Sequence, residues 1–110
     1  MAKLGIPSSY MQMKQSHPDL MKAYEAFGSA CASAGPLDAT CVALVKLAVS
    51  LSTGQEGAAH SHARKALEAG CTPDQLLHVA TLTAPTIGFP SMMRARGWVQ
   101  DVLDAPPKAR

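Results

Sequence analysis

Glycine and proline divide this chain into segments of helical length. Turn-forming residues stand at positions 35–36, 52–54, 70 and 88–90, and groups of this kind end helices. Between them, apolar residues recur at helical spacing, and no stretch alternates β-branched and polar residues as a half-buried strand does. The chain is therefore predicted to be all-α. We interpret residues 1–110 as one domain, with an N-terminal arm at 1–15 and a frayed tail at 105–110.

The first two predicted helices have recognisable starts. Ser16 is predicted to cap the first helix, with Pro18 in the first turn and Asp19 closing a capping box. Gly35–Pro36 ends that helix. Asp38 is predicted to cap the second helix, whose apolar residues lie almost all round its axis. We therefore expect the second helix to be central and buried.

Two further capping boxes are predicted in the second half of the chain. Thr53 and Glu56 have the spacing of a capping box for the third helix, which is expected to end at Gly70. Thr72 and Gln75 have the same spacing at the start of the next helix. These signals indicate that the third and fourth helices follow one another with almost no linker.

The composition is low in charge. Hydrophobic residues make up 47% of the chain and charged residues 16%, against roughly 25% charged in a typical soluble domain. A small chain of this kind exposes apolar surface, most often at subunit contacts, so we expect a homo-oligomer. The net charge is only +2 and the basic residues are scattered, which argues against a nucleic-acid partner.

The cysteines and the hydropathy favour a cytoplasmic protein. Cys31, Cys41 and Cys71 are an odd number with no CxxC motif, which is typical of reduced thiols rather than of a secreted disulfide framework. Residues 1–7 lack the apolar run of a signal peptide, and no segment approaches the ~18 consecutive apolar residues of a membrane span. No membrane partner is predicted.

Three segments together carry a family resemblance. They are residues 37–50, residues 62–75 and the Gly-x-Pro-small turn at 88–91. In this order and at these spacings they resemble the carboxymuconolactone decarboxylase family, whose redox branch is typified by alkylhydroperoxidase D. The resemblance extends over about residues 18–103. It implies an alkylhydroperoxidase D-like bundle of five to six helices and a homo-oligomer, commonly a trimer or hexamer, with sites near subunit contacts.

The redox residues of the family are missing from this chain. The peroxidase branch of the family has a CxxC motif followed by a histidine, and a glutamate upstream. When that histidine is aligned with His62, the cysteine positions are Gln55 and Ala58 and the glutamate position is Ala43. Neither glutamine nor alanine can supply the two thiols that the reaction needs. The non-redox decarboxylase branch also lacks that dithiol, and its signature histidine aligns with His62, so the resemblance implies an acid–base site but no particular substrate.

His62 is the candidate catalytic residue. An imidazole with an ordinary pKa near 6.5 suits general acid–base work at neutral pH, although a structural histidine at a helix–helix contact fits the same pattern. Gln55 and Ala58 fall on the side of the helix that carries His62. With Lys46 of the preceding helix, they are the candidate substrate-binding residues. A lysine that extends from the helix edge into solvent is the alternative for Lys46.

No metal ion or cofactor is predicted. His60 lies two residues from His62, so the two rings point about 200° apart on a helix and cannot share one metal ion. Cys41 or Cys71 would be the thiol of a lone-cysteine peroxidase. Free cysteines of this kind are more often small apolar core residues.

Three functional hypotheses follow. The first is a non-redox enzyme that binds a small organic molecule beside His62, with decarboxylase- or isomerase-like acid–base chemistry, or a degenerate relative of such an enzyme. If the protein is an enzyme, a carboxymuconolactone decarboxylase-like lyase is favoured over a dithiol peroxidase. The second is a non-catalytic oligomeric binding protein. The third is an antioxidant protein of the alkylhydroperoxidase or peroxiredoxin type that uses a lone cysteine.

Overall fold

The computed structural model describes residue 6 and residues 8–106 of the 110-residue chain. The predictions made for residues 1–5, for residue 7 and for the end of the tail at 107–110 lie outside the described residues. Within the described part, the chain forms helices and no strand, as predicted. The helices are α1 (Ser8–Ser16), α2 (Pro18–Ala32), α3 (Ala39–Ser52), α4 (Glu56–Glu68), α5 (Pro73–Leu82), the single turn α6 (Ala84–Ile87) and α7 (Phe89–Asp104).

Two of the predicted helix starts are confirmed. The Asp38 carboxylate accepts a hydrogen bond from the Cys41 backbone N–H at 2.9 Å and caps α3. At α5, the Thr72 hydroxyl accepts from the Gln75 N–H at 3.1 Å, and the Gln75 side chain accepts from the Thr72 N–H at 2.9 Å. This reciprocal pair is the predicted capping box.

The other two predicted caps are wrong. Ser16 is the last residue of α1, and its hydroxyl donates to the Gln12 carbonyl at 2.9 Å. Thr53 follows the end of α3 and donates to the Val49 carbonyl at 2.8 Å. In both cases the hydroxyl satisfies an acceptor of the preceding helix. The side chain of Gln55, which precedes α4, makes no cap hydrogen bond either.

The core lies where α3, α4, α5 and α7 meet. Leu47 and Leu51 of α3, Leu76 of α5, and Val99 and Val102 of α7 are the largest fully buried side chains. Alanines on α4 let its backbone approach the neighbouring helices, and Ala59, Ala63 and Ala66 are at most 1% exposed. α4 is therefore the close-packed centre of the domain, and it presents its other side to the candidate site.

Helix α3 is less buried than the sequence predicted. Leu47 and Leu51 are buried, but Val45 is 50% and Val49 57% exposed. The apolar residues of α3 therefore lie on two sides of the helix. One side packs on α4, and the other faces outward. Among the helices in the described residues, none has the length and apolar character needed to cross a membrane.

Candidate functional site

Two clefts meet at His62. The larger has a volume of about 540 Å³ and lies between the end of α2, α3 and α4. The smaller, of about 290 Å³, lies between the second half of α3 and the start of α4. Residues that line the larger cleft are Ala32, Ser33, Gly35, Leu37, Ala39, Val42, Ala43, Lys46, His62, Lys65 and Ala69. Residues that line the smaller one are Lys46, Val49, Ser50, Thr53, Gln55, Ala58 and His62.

The smaller cleft brings together the four residues singled out in the sequence. Gln55 and Ala58 stand at the start of α4, His62 follows one turn later, and Lys46 reaches the cleft from α3. Lys46 and His62 also line the larger cleft. The imidazole and the ammonium group thus lie at the boundary between two spaces, where a bound molecule in either space would reach them.

Lys65 is a site residue that the sequence analysis missed. It lies in the larger cleft with Lys46 and His62. The signal was present, because Lys65 follows His62 by three residues and side chains at that spacing share one side of a helix. The end of α2 was also missed as a wall of the cleft. Nothing local in the sequence indicates that residues 32–35 approach α4.

The site is electropositive. Burial, followed by the nearby charges of Lys46 and Lys65, lowers the pKa of His62 from 6.5 to about 4. The ring is therefore neutral at neutral pH and can accept a proton or a hydrogen bond. No aspartate or glutamate lines either cleft, and the carboxylate whose charge interacts with Lys65, that of Glu25, lies outside the cleft walls.

This lowered pKa predicts a pH dependence of stability. Between about pH 6.5 and pH 4 the unfolded chain binds a proton at His62 that the folded chain does not, so stability falls as the pH is lowered through this range. His62→Gln removes the titrating group. We expect the free energy of unfolding, measured with urea, to fall between pH 7 and pH 4 by roughly 1–2 kcal/mol less in the variant than in the wild type. This difference is smaller than the full pKa shift implies, because the ring is partly exposed. Parallel wild-type and variant profiles would contradict this expectation.

Cys41 and Cys71 offer poor conditions for thiolate chemistry. Cys41 is exposed, and its thiol interacts with the Asp38 carboxylate, which raises the pKa of the thiol. Cys71 is buried and lies 4.0 Å from the Thr40 carbonyl. A thiol reacts with a peroxide as the thiolate, so the surroundings of Cys41 and Cys71 do not favour a lone-cysteine peroxidase that uses either of them.

Comparisons with known proteins identify the family. The model of the carboxymuconolactone decarboxylase family matches residues 18–101. A crystal structure of an apo protein of this family from Legionella pneumophila is similar to the chain with a TM-score of 0.75 and 20% sequence identity, and the match covers 88% of this chain and 87% of that one. At this identity the likeness concerns the fold. A search of curated proteins finds no match.

Proposed function

The chain belongs to the carboxymuconolactone decarboxylase family, and from this premise we propose that it binds a small organic carboxylate beside His62 and acts on it by acid–base chemistry. The observation that carries the proposal is the pairing of Lys46 and Lys65 around one imidazole in clefts with no acidic side chain. Clefts of several hundred Å³ with apolar walls and a few polar groups are typical of small-molecule sites.

The two lysines would hold the carboxylate. A charge-assisted hydrogen bond from an ammonium group to a carboxylate is stronger than a neutral one. The remaining walls of the larger cleft are mostly alanine, valine and leucine side chains, which suit a short hydrocarbon body. Gln55, which lines the smaller cleft, would orient a carbonyl or hydroxyl group through its amide.

His62 would move the proton. Burial, and after it the charges of Lys46 and Lys65, keep its pKa near 4, which makes the ring a weak base. A bound carboxylate would offset the two positive charges and reverse their part of the shift, so the pKa of His62 would rise and the ring would become a better general base. Binding of the anion and activation of the base are thereby coupled.

Binding is tested with matched ligands. Adipate and adipamide have the same carbon skeleton and differ in charge. We expect calorimetry to show saturable binding of adipate that weakens as salt is added, because the attraction is electrostatic, and no measurable binding of the diamide. Equal affinity for the two ligands would overturn the proposal of a carboxylate site.

Catalysis is tested separately from binding. Levulinate carries a carboxylate and C–H groups beside a ketone, and base catalysis exchanges those hydrogens with deuterium from the solvent. We expect the protein to accelerate the exchange, and His62→Gln to bind levulinate while it loses about 10²–10⁴-fold in exchange rate. Binding without any acceleration would instead support the non-catalytic binding protein.

We also propose that the protein is a homo-oligomer. Leu20, Tyr24 and Phe27 form one stripe along α2 and are 55%, 61% and 69% exposed. Helix α2 buries only Met21 within the described chain, so most of its apolar area faces solvent. A contiguous apolar face of this kind marks an interaction surface.

A charge on α2 is expected to break this assembly. Phe27→Asp would bury a carboxylate at the subunit contact, so sedimentation velocity should show a smaller species than for the wild type. Phe89→Asp is the matched control, since Phe89 is 64% exposed but lies on α7. A wild-type protein that sediments as a monomer would refute the proposal.

A further inference from the structure

Three potential metal ligands meet on the side of α4 that faces α7. Glu56 and His60 are four residues apart on α4 and lie on one side of it. Asp101 of α7 approaches them, and its Oδ2 is 3.2 Å from the His60 Nε2. One nitrogen or oxygen atom from each of the three residues lies within 4.8 Å of the others. The cluster is separate from the clefts at His62, since none of its members lines them.

The donor set matches a divalent first-row metal ion. Zinc is held by imidazole nitrogen and carboxylate oxygen at about 2.0–2.2 Å, so two ligands of one ion are at most roughly 4.4 Å apart. The His60–Asp101 pair already satisfies that limit at 3.2 Å, and the Glu56 oxygen lies within 4.8 Å of both partner atoms. Two carboxylates and a neutral imidazole together carry a charge of −2, which neutralises the +2 charge of the metal ion.

Within the cluster, His60 and Asp101 contact one another, whereas the Glu56 carboxylate has no hydrogen-bond partner among residues 8–106. The contact between His60 and Asp101 by itself explains their positions. Glu56 is different, because the capping box that would have engaged it does not form. Among residues 8–106, no hydrogen bond or ion pair involves its carboxylate. The carboxylate nevertheless lies beside the His60–Asp101 pair rather than away from it.

The exposure of the cluster suits a site that is open on one side. The His60 side chain is 12% exposed, so its orientation is fixed by packing, whereas the Asp101 side chain is 48% exposed. Three protein ligands with an open position leave room for water on the metal. We propose that Glu56, His60 and Asp101 form a zinc-type metal site that fastens the start of α4 to α7.

The test is a zinc titration of the chelator-treated protein. We expect one zinc ion per chain in a competition assay with a chromophoric chelator, and a melting temperature that rises with zinc. Asp101→Asn and His60→Gln should each weaken binding by more than the roughly 10- to 100-fold typical of losing an outer-sphere partner. The matched control is His78→Gln on α5, an exposed histidine outside the cluster, which should bind zinc like the wild type.

Cobalt distinguishes this site from the cysteines. Co²⁺ bound by nitrogen and oxygen ligands gives visible ligand-field bands without the charge-transfer absorption of a thiolate. A thiolate band, or zinc binding that Asp101→Asn leaves unchanged, would overturn the proposal, as would the absence of one-to-one binding. Asp101 is exposed and is expected to tolerate substitution, so that variant decides the question if His60→Gln fails to fold.

Discussion

Leu47→Ala is expected to lower the free energy of unfolding by about 2–5 kcal/mol. Leu47 is 0% exposed and belongs to the cluster that joins α3 to α4, α5 and α7. Truncation removes buried methyl groups and leaves a cavity that the surrounding helices fill only in part. The measurement is urea unfolding followed by circular dichroism, at one fixed protein concentration because association would change the apparent stability.

Leu82→Ala is the matched control for this substitution. Leu82 is the last residue of α5 and is 61% exposed. The same change in side chain therefore removes little buried surface, and we expect a loss within about 0.5 kcal/mol. Similar losses for the two variants would show that the core is not centred on Leu47.

Replacing both lysines of the larger cleft is expected to abolish carboxylate binding. A hydrogen bond to a charged group contributes about 1.5–3 kcal/mol, so Lys46→Met or Lys65→Met alone should weaken adipate binding by roughly 10- to 100-fold. Methionine keeps the apolar stem while removing the charge. Lys46 also lines the smaller cleft, so its loss should additionally affect ligands that extend towards Gln55.

Lys22→Met serves as the control for the lysine variants. Lys22 lies on α2, is exposed and lines neither cleft, so its loss changes the net charge equally without touching the site. We expect adipate affinity in this variant to stay close to that of the wild type. A similar loss for Lys22→Met would mean that the attraction comes from the overall charge and not from the cleft.

The helical fold could be predicted from short-range signals. Asp38 and Thr72 cap helices as expected, because their side-chain oxygens accept hydrogen bonds from backbone N–H groups three residues further along the chain. Ser16 and Thr53 have the same sequence signature but close the helix before them. A hydroxyl can serve either the helix that ends or the helix that begins, and the direction of the chain between the two helices decides which.

The site could be predicted only in part. Helical spacing placed Gln55, Ala58 and His62 together, and the same spacing includes Lys65. The approach of α2 to the cleft and of Asp101 to His60 depends on packing between distant segments. His60 and Asp101 are 41 residues apart in the chain, and no local pattern in the sequence encodes such a contact.

A crystal structure of the protein in saturating adipate is the decisive test of a carboxylate site beside His62. We expect one carboxylate of the ligand in the larger cleft, about 2.7–2.9 Å from the Nζ atoms of Lys46 and Lys65, with the His62 ring in contact with the ligand. Adipate bound elsewhere, or a cleft filled by side chains of a neighbouring subunit so that no ligand can enter, would contradict it.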